Sequence, residues 1–587
     1  MTKFTVRETG EKVDLTQNDF IAKGGEGSIY GIGDVIYKVC EPGKMIPEQK
    51  FQELSKLDYR TIIRPQYVLM DKKTPVGYTM RRVPGNAKPL AQIMTKSYRE
   101  RENVTPNHMM NIVQQINSGL QFIHSHKGYL QVDGNEYNYM VTSDHNEVYF
   151  IDVNSFQTPS FPADAIMASI RDWHVAKDPV THQYIWTQLS DWYSFAIISF
   201  YLFTAIHPFK GRHPSFTNMK TLMTDQMLAC KSVLDPEVQF PFGAVYHPFE
   251  DVVPGGKNGA YMQWYRAVFI ENKRLPAPKD FQATLAFVAK IAAIAGSNKF
   301  NMKELHNYCD AIVGFYEKSG VEVAVTKNHI HYNGKKMDRP AERFRVGFTP
   351  KNNIPYACWL GIGDRVEIQN LQTGQNIPST MSGTDIMSCE GRVYVQSLQN
   401  IFEINFIENG NLIAAAKSAA TIMPNATRLY QGVAVQDMFG TLFFSMFPAQ
   451  GHHRQVKIQE LNDYRITDAK YEHGILMVVA SHRTTGDYSR FIFRFTGDKN
   501  TTDWDTYDVR VVDDITPTGI NFTVLERGTC ICITEDEKVE IFSNQKNSVG
   551  VKSIEDPAID GEMKLCHARD QARFAKGNML YEFSVRK

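Results

Sequence analysis

Residues 128–157 read GYLQVDGNEYNYMVTSDHNEVYFIDVNSFQ, and this stretch decides how the first half of the chain is understood. Asp133 and Asn138 stand five residues apart, and Asp152 closes the apolar run VYFID. Asp, Gly and Asn all favour turns, so an Asx-rich hairpin alone would account for the composition. The spacing asks for more. Two oxygen-bearing side chains before a short hairpin and a third at its end are what a carboxylate beside an acceptor hydroxyl and a pair of divalent-cation ligands require.

Upstream, IAKGGEGSIYGIG at 21–33 precedes VIYKVC at 35–40. Gly25 to Tyr30 and Val35 to Cys40 read as two strands joined by a turn at 31–34. Gly24, Gly25 and Gly27 allow a backbone to approach phosphate oxygens closely. A strand follows them rather than a helix, which disfavours a dinucleotide fingerprint. Lys38 lies on an apolar strand, where an ammonium is costly unless paired or solvated. Behind a Gly-rich hairpin, phosphate binding is the better reading for it.

The next predicted helix, Glu48–Leu57, offers two acids to partner Lys38. Glu48 and Glu53 lie on different faces, and Glu48 is favoured because it leaves Phe51 and Leu54 free to pack. Ile63–Met70 and Val76–Val83 read as strands, Pro106–His124 as an amphipathic helix, and Trp192–Ala293 as mostly helical. Ser190 is suited to cap, and Asp191 to begin, the helix that follows. The aromatics from Trp192 to Phe203 read as core, and His124 and His126 as packing or solvent-facing groups. His452-His453 and the GKK of 334–336 read as turns.

In order, these segments resemble the eukaryotic-like protein kinases. IAKGGEGSIY is similar to the L-G-x-G-x-F-G-x-V-Y loop, with Ala22 for the first glycine and Glu26 for the aromatic. GYLQVDGNEYN resembles the G-D-x-N-E-x-N catalytic loop of a bacterial and phage branch that includes kinases linked to helix-hairpin-helix segments. IDVNSFQ, SDWYSFAIISFYLFTAIHPFKGRHP (190–214), IIRPQYVLMDKKTPVGYTMRRVPG (62–85) and WYRAVFIENKRLPAP (264–278) resemble further segments of that branch, so the likeness spans about residues 15–285. It implies a bilobal α+β fold that binds ATP and Mg²⁺. Gly24, Gly25, Gly27, Ile29, Lys38, Glu48 and Met80 would surround the nucleotide, with Met80–Val83 as the hinge. Asn138 and Asp152 would hold the metal. Asp133 would be catalytic, with Lys38, and Asp191 would hold the catalytic-loop backbone.

The departures are specific. Gln131-Val132 replaces the usual His-Arg, Asn154 replaces the D-F-G glycine, and IMASIRDW (166–173) stands where A-P-E is expected. Asp172 is placed to pair with Arg274. The segment Ser155–Asp172 is short and carries two prolines, which points to constitutive order. Metal and lysine positions are intact, so an active enzyme is favoured over a pseudokinase.

Beyond about residue 320 the pattern changes to short alternating runs such as VEVAVTKNHIHY, GTLFFSMF, GILMVVAS and GTCICITEDEKVEIFS, separated by polar turns. These predict an all-β domain, most simply a propeller of five or six blades at about 40–50 residues each. The expected layout is a kinase N-lobe at 1–84, a C-lobe at 85–290, a helical linker at 291–322 and the β domain at 323–587. A chain of 587 residues with zero formal net charge is long enough for several cores and has no global footprint for nucleic acid or membrane. The N-terminus lacks an apolar signal segment, and the longest apolar run, Trp192–Ile206, is too short to span a bilayer. Eight scattered cysteines without CxxC fit a reducing compartment, with Cys530 and Cys532 on one strand face. The expectation is therefore a cytoplasmic Ser/Thr protein kinase (host cytoplasm if phage-encoded) that recruits protein substrates through its β domain. The alternatives are a phage-type pseudokinase serving as a nucleotide-binding or structural interaction protein, and a kinase-fold enzyme acting on a small molecule.

Overall fold

The computed structural model describes residues 2–84, 86–163, 166–241, 243, 245–278, 296–409, 411–495, 506–517 and 519–586. The chain divides into two compact units, one holding most residues up to Pro278 and the other most residues from Gly296 onward.

The first unit begins with seven strands: β1 (Thr2–Val6), β2 (Lys12–Leu15), β3 (Phe20–Gly24), β4 (Gly27–Ile32), β5 (Val35–Cys40), β6 (Pro65–Asp71) and β7 (Thr74–Arg81). They form one sheet in the order β2-β1-β6-β7-β5-β4-β3. Alternation along β5 sorts its two faces. Val35, Tyr37 and Val39 join Phe4, Val6, Val13 and Leu69 on one side. On the other, Cys40 packs with Phe51, Val68, Tyr78 and Met80. Phe51 belongs to helix α1 (Glu48–Leu54). This helix ends three residues before the predicted Leu57, where Ser55 turns its hydroxyl back onto the Gln52 carbonyl. Leu57 is buried all the same.

The long helix Pro106–Ser125 starts where expected, with Thr105 accepting the His108 N–H. Its inner face carries Ile112, Val113, Ile116 and Leu120. At Gly119 a Cβ would lie 2.4 Å from the Phe150 ring. The missing side chain lets this helix close on the hairpin of Tyr139–Val141 and Val148–Phe150, which leads into Asp152. The helix Gln188–Thr204 is buried on every side from Ser190 onward, as an apolar helix of a protein core should be. The segment after it is less helical than its composition predicts. Between Ala205 and Gly259 the chain forms mostly turns, with short helices at Leu222–Leu228 and Phe249–Val252, before Ala260–Phe269. Pro208, Pro214, Pro236, Pro241 and Pro248 break the helical ladder there. Residues 279–293 of the predicted helical region lie outside the described residues.

The second unit is β-rich. Seven four-stranded antiparallel sheets occur among its described residues. Six are meanders within 312–338, 345–377, 385–421, 427–457, 464–512 and 522–555. The seventh joins Phe300–Asn307 to the three last strands, Lys564–Cys566, Ala572–Lys576 and Met579–Val585. Two expectations are corrected here. The segment 291–322, expected to be a helical linker, carries strands at Phe300–Asn307 and Ile312–Lys318 and the start of Val321–Thr326; residues 291–295 lie outside the described ones. Phe300–Asn307 gains its hydrogen bonds from Met579–Val585, a partner that no local pattern announces. Among the described residues of this unit seven four-stranded sheets occur, against the five or six blades expected, with one sheet shared between both ends of the unit and irregular spacing among the others.

Apolar clusters connect successive sheets. Val325 and Ile330 pack with Val346 and Phe348, Tyr356 and Ile368 with Val393 and Val395, and Tyr394 with Phe444 and Leu476. Met477 and Ile492 then meet Phe522 and Cys530, and Ile531 and Val539 meet Phe574 and Phe583. Leu580 and Ala575, in the shared sheet, lie with Phe315 and Ala324 of the first meander. Cys530 and Cys532 are buried in one cluster, as their one-face placement predicts, and all eight cysteines are free thiols. His452 opens the strand His452–Lys457, and Lys335-Lys336 begin Lys335–Asp338, so neither pair is confined to a turn. Among the described residues no helix is long and apolar enough to cross a membrane.

Candidate functional site

The site is assembled on the β3–β4 hairpin, on β5 and on two distant loops. Gly24 pairs with Gly27 across the hairpin, leaving Gly25 and Glu26 at its tip. The glycines are not equivalent. A Cβ on Gly27 would fall 2.2 Å from the Val39 carbonyl oxygen, whereas one on Gly25 would meet nothing within 4 Å. Gly27 is demanded by the protein's own packing; Gly25 leaves open space at the turn. Ile29 lies opposite Lys38 in the ladder. Met80 packs beside Tyr78 and Cys40 near the end of β7.

Lys38 is 7% exposed, so its ammonium depends on partners. Nζ donates to Glu26 Oε2 at 2.7 Å and to Asn154 Oδ1 at 3.1 Å, and stands 3.9 Å from Asp152 Oδ1. The Tyr78 hydroxyl also donates to Asn154 Oδ1, at 3.1 Å, and the Asn154 amide donates to Glu26 Oε2 at 2.7 Å. Burial by itself would lower the Lys38 pKa. Tyr78, Asp152 and the bond to Glu26 outweigh it and hold the value above that of an ordinary lysine. Burial likewise works to raise the Glu26 carboxyl, but the bond and charge of Lys38 carry it below the usual glutamate value.

Neither helix acid partners the lysine, which corrects the assignment of Glu48. Glu48 faces outward and pairs with Arg7 at 2.9 Å. Glu53 accepts the Ser160 hydroxyl at 2.7 Å and the Gln49 amide at 3.3 Å. The partner is Glu26, from the hairpin tip. Glu26, Tyr78 and Asn154 are the residues that sequence reasoning missed here. The one signal for Glu26 was its position in place of an aromatic within the Gly-rich turn.

The loop at 131–138 is held from below. Asp191, at the start of the Gln188–Thr204 helix, accepts the backbone N–H of Gln131 at 2.9 Å and of Val132 at 2.8 Å, and lies 2.8 Å from His124 Nε2. Its expected holding role and the packing role of His124 are both met by this geometry. Val132 sits at φ 60°, a left-handed conformation costing a β-branched residue about 1–2 kcal/mol. The bond to Asp191 fixes the backbone there. Gln131 turns its side chain inward to accept the Tyr139 hydroxyl at 2.8 Å.

Next along the loop, Asp133 Oδ1 accepts the Met167 N–H at 3.0 Å. The Asn138 amide donates to the Asp133 carbonyl at 2.8 Å and lies 3.4 Å from Asp133 Oδ2. That orientation leaves the Asn138 carbonyl oxygen as an acceptor. The Asn138 main-chain carbonyl accepts the N–H of Ile151, the residue before Asp152. Asp152 itself is left-handed at φ 57° and half-exposed. Asn138 and Asp152 thus offer hard oxygen ligands of the kind Mg²⁺ takes. Together with the open space at Gly25, these are the groups of this site that could hold phosphate oxygens and a metal.

Asp172, within 166–173, accepts two bonds from Arg274 at 2.5 and 2.7 Å. The Arg274 guanidinium also lies 4.5 Å from the centre of the Tyr193 ring. The predicted pairing is therefore present.

No family of known proteins matches the chain, and no curated protein does either. Among solved structures, the kinase PK-1 of the Cydia pomonella granulovirus is similar at 10% identity and a TM-score of 0.28, over 36% of this chain and 80% of that one. A likeness this distant leaves the family open.

Proposed function

We propose that the first unit is an ATP- and Mg²⁺-dependent protein kinase that transfers a phosphoryl group to Ser/Thr hydroxyls. The observation that carries this reading is a series of contacts: Lys38 Nζ lies 3.9 Å from Asp152 Oδ1, the Ile151 N–H before Asp152 bonds the Asn138 main-chain carbonyl, and the Asn138 amide lies 3.4 Å from Asp133 Oδ2. Bound MgATP would supply the transferable group and the positive charge that offsets its oxygens. Lys38 would hold phosphate oxygens by charge, and the open Gly25 turn would present backbone N–H groups to them. Asn138 and Asp152 would hold the metal. Asp133 would orient the acceptor hydroxyl and take its proton onto a carboxylate oxygen as the hydroxyl oxygen bonds to the γ-phosphorus and the bond from phosphorus to the bridging oxygen breaks, with ADP as the leaving group. Turnover of radiolabelled ATP by wild type, Lys38→Ala and Asp133→Asn tests this. Labelling by wild type that drops at least a hundredfold in both variants supports it; equal labelling in all three rules it out.

Two observations favour a second reading. Glu26 already satisfies Lys38, and Gln131-Val132 replaces His-Arg, as in a pseudokinase that binds nucleotide or a partner without turnover. Stabilisation by MgATP without any labelling would select it.

For the second unit we infer a seven-bladed propeller serving as a protein-recruiting platform. Its support is the succession of apolar clusters, which runs sheet to sheet and returns from the shared sheet to the first meander. Electron-microscope images lacking a sevenfold disc would sink the architecture. Labelling confined to small molecules when a crude lysate is offered would sink the protein-substrate assignment.

A further inference from the structure

Two mixed clusters of metal-ligating side chains occur among the described residues, His213 with Asp235 and Glu237, and Cys309 with Asp310 and His329. The first is already neutralised: Lys231 lies 2.9 Å from Asp235 and 4.0 Å from Glu237. The second has no such cation. Asp310 forms no close ion pair with a lysine or arginine among the described residues, although the Arg339 guanidinium feels its charge; its close partners are Thr326, His329, Asn328 and the Cys309 thiol.

The cluster is built by strand geometry. His329 and His331 alternate along the strand His329–Tyr332, so both rings leave one face while Ile330 enters the core on the other. Cys309 and Asp310 lie in the connection after Phe300–Asn307. That connection is clamped by Tyr308 N–H on the Asn578 carbonyl, by Ile312 N–H on the Gly577 carbonyl and by Lys327 N–H on the Ala311 carbonyl. The thiol therefore arrives beside the rings on a fixed backbone.

The separations lie on either side of those of a coordination shell, within a few tenths of an ångström. Cys309 Sγ stands 3.8 Å from Asp310 Oδ2 and 3.9 Å from His329 Nδ1, and these last two are 3.1 Å apart. Tetrahedral zinc with bonds of about 2.0–2.3 Å has ligand–ligand edges of roughly 3.3–3.6 Å. His331 Nε2 lies 3.7 Å from the same sulfur. A His–Asp hydrogen bond alone would explain the shortest edge. It does not explain a thiol within 4 Å of the carboxylate and of both rings.

We propose that Cys309, Asp310 and His329, with His331 turning in as the fourth ligand, form a binding site for Zn²⁺ or a similar borderline divalent cation. Binding replaces the Cys309 thiol proton, which is released to solvent, and requires the His329 ring proton on Nε2 so that Nδ1 can donate its lone pair. The bound ion would tie the Cys309 connection to the neighbouring strand. The proposal is independent of the kinase reading, which concerns the other unit.

The test uses the full chain, stripped of metal by a chelator and titrated with Zn²⁺ against a chromogenic competitor, and separately with Co²⁺. Wild type is expected to bind one ion that raises its Tm and, with cobalt, to show a thiolate charge-transfer band. Cys309→Ser should lose that band, and Cys309→Ser and His329→Gln should each bind at least about tenfold more weakly, whereas His213→Gln should bind as wild type. Failure of wild type to bind, or wild-type affinity in both Cys309→Ser and His329→Gln, overturns the site. Circular dichroism of the variants separates lost ligation from lost folding.

Discussion

The ammonium of Lys38 donates to the carboxylate of Glu26 at 2.7 Å, so the buried amine is partnered from the Gly-rich turn and not from the following helix. Any anion that takes the amine must compete with this carboxylate. In the kinase reading, Glu26→Gln should tighten MgATP binding several-fold, and Lys38→Ala should abolish it. Isothermal titration of the two variants decides the matter. Weaker binding by Glu26→Gln would instead make Glu26 an orienting partner of the lysine.

The same pair has a pH signature. The Glu26 carboxyl lies below its usual value because Lys38 outweighs burial. A depressed carboxyl pKa contributes stability above the unfolded value of about 4.3, and that contribution is lost as pH falls through the lower folded value. A carboxyl-carbon NMR titration should place Glu26 below ordinary glutamates in wild type and return it to the ordinary range in Lys38→Met. An unchanged Glu26 titration in Lys38→Met would mean that the ion pair does not form in solution.

Gly25 and Gly27 separate folding from ligand binding. Gly27→Ala drives a Cβ into the Val39 carbonyl and should cost about 2–3 kcal/mol, as overpacking does. Gly25→Ala meets no protein atom and should leave the melting temperature unchanged while weakening MgATP binding. Unaltered nucleotide affinity in Gly25→Ala would count against a phosphate cradle at this turn.

Asp191 supports the loop that carries Asp133. Asp191→Ala strands two backbone N–H groups and the His124 ring in a buried site. At about 1–3 kcal/mol for each unsatisfied group, the loss should be on the order of 3 kcal/mol or more by urea denaturation. A loss under about 1 kcal/mol would show that the loop holds itself.

Arg274 and lysine should not be interchangeable. The guanidinium makes two bonds to Asp172 and lies over Tyr193, a geometry that an ammonium cannot reproduce. Arg274→Ala, which leaves the 3%-exposed Asp172 without its guanidinium partner, though still accepting the His174 N–H, should cost about 3 kcal/mol or somewhat more, and Arg274→Lys should recover only part of that. Full recovery by lysine would reduce the interaction to simple charge.

Local pattern made much of the molecule legible. The alternation in VIYKVC and the 3.6-residue period of 106–125 predict their elements closely, because each is set by which faces of a short segment are apolar. The partner of Lys38 was not legible. Glu48, Glu53 and Glu26 are equivalent as types, and the choice among them depends on where a hairpin tip and a helix face come to rest. The strand at 300–307 escaped for a related reason, since its partners lie at the far end of the chain.

The amino-acid order alone determined which residues carry usable chemistry and which segments extend or coil, because periodicity and turn chemistry act over a few residues. Tertiary structure decided who meets whom: Glu26 and Asn154 around Lys38, Asp191 beneath Val132, and Cys309 beside His329. Those meetings follow from burying distant apolar faces together, and a buried charge or polar group then takes whichever partner the packing delivers.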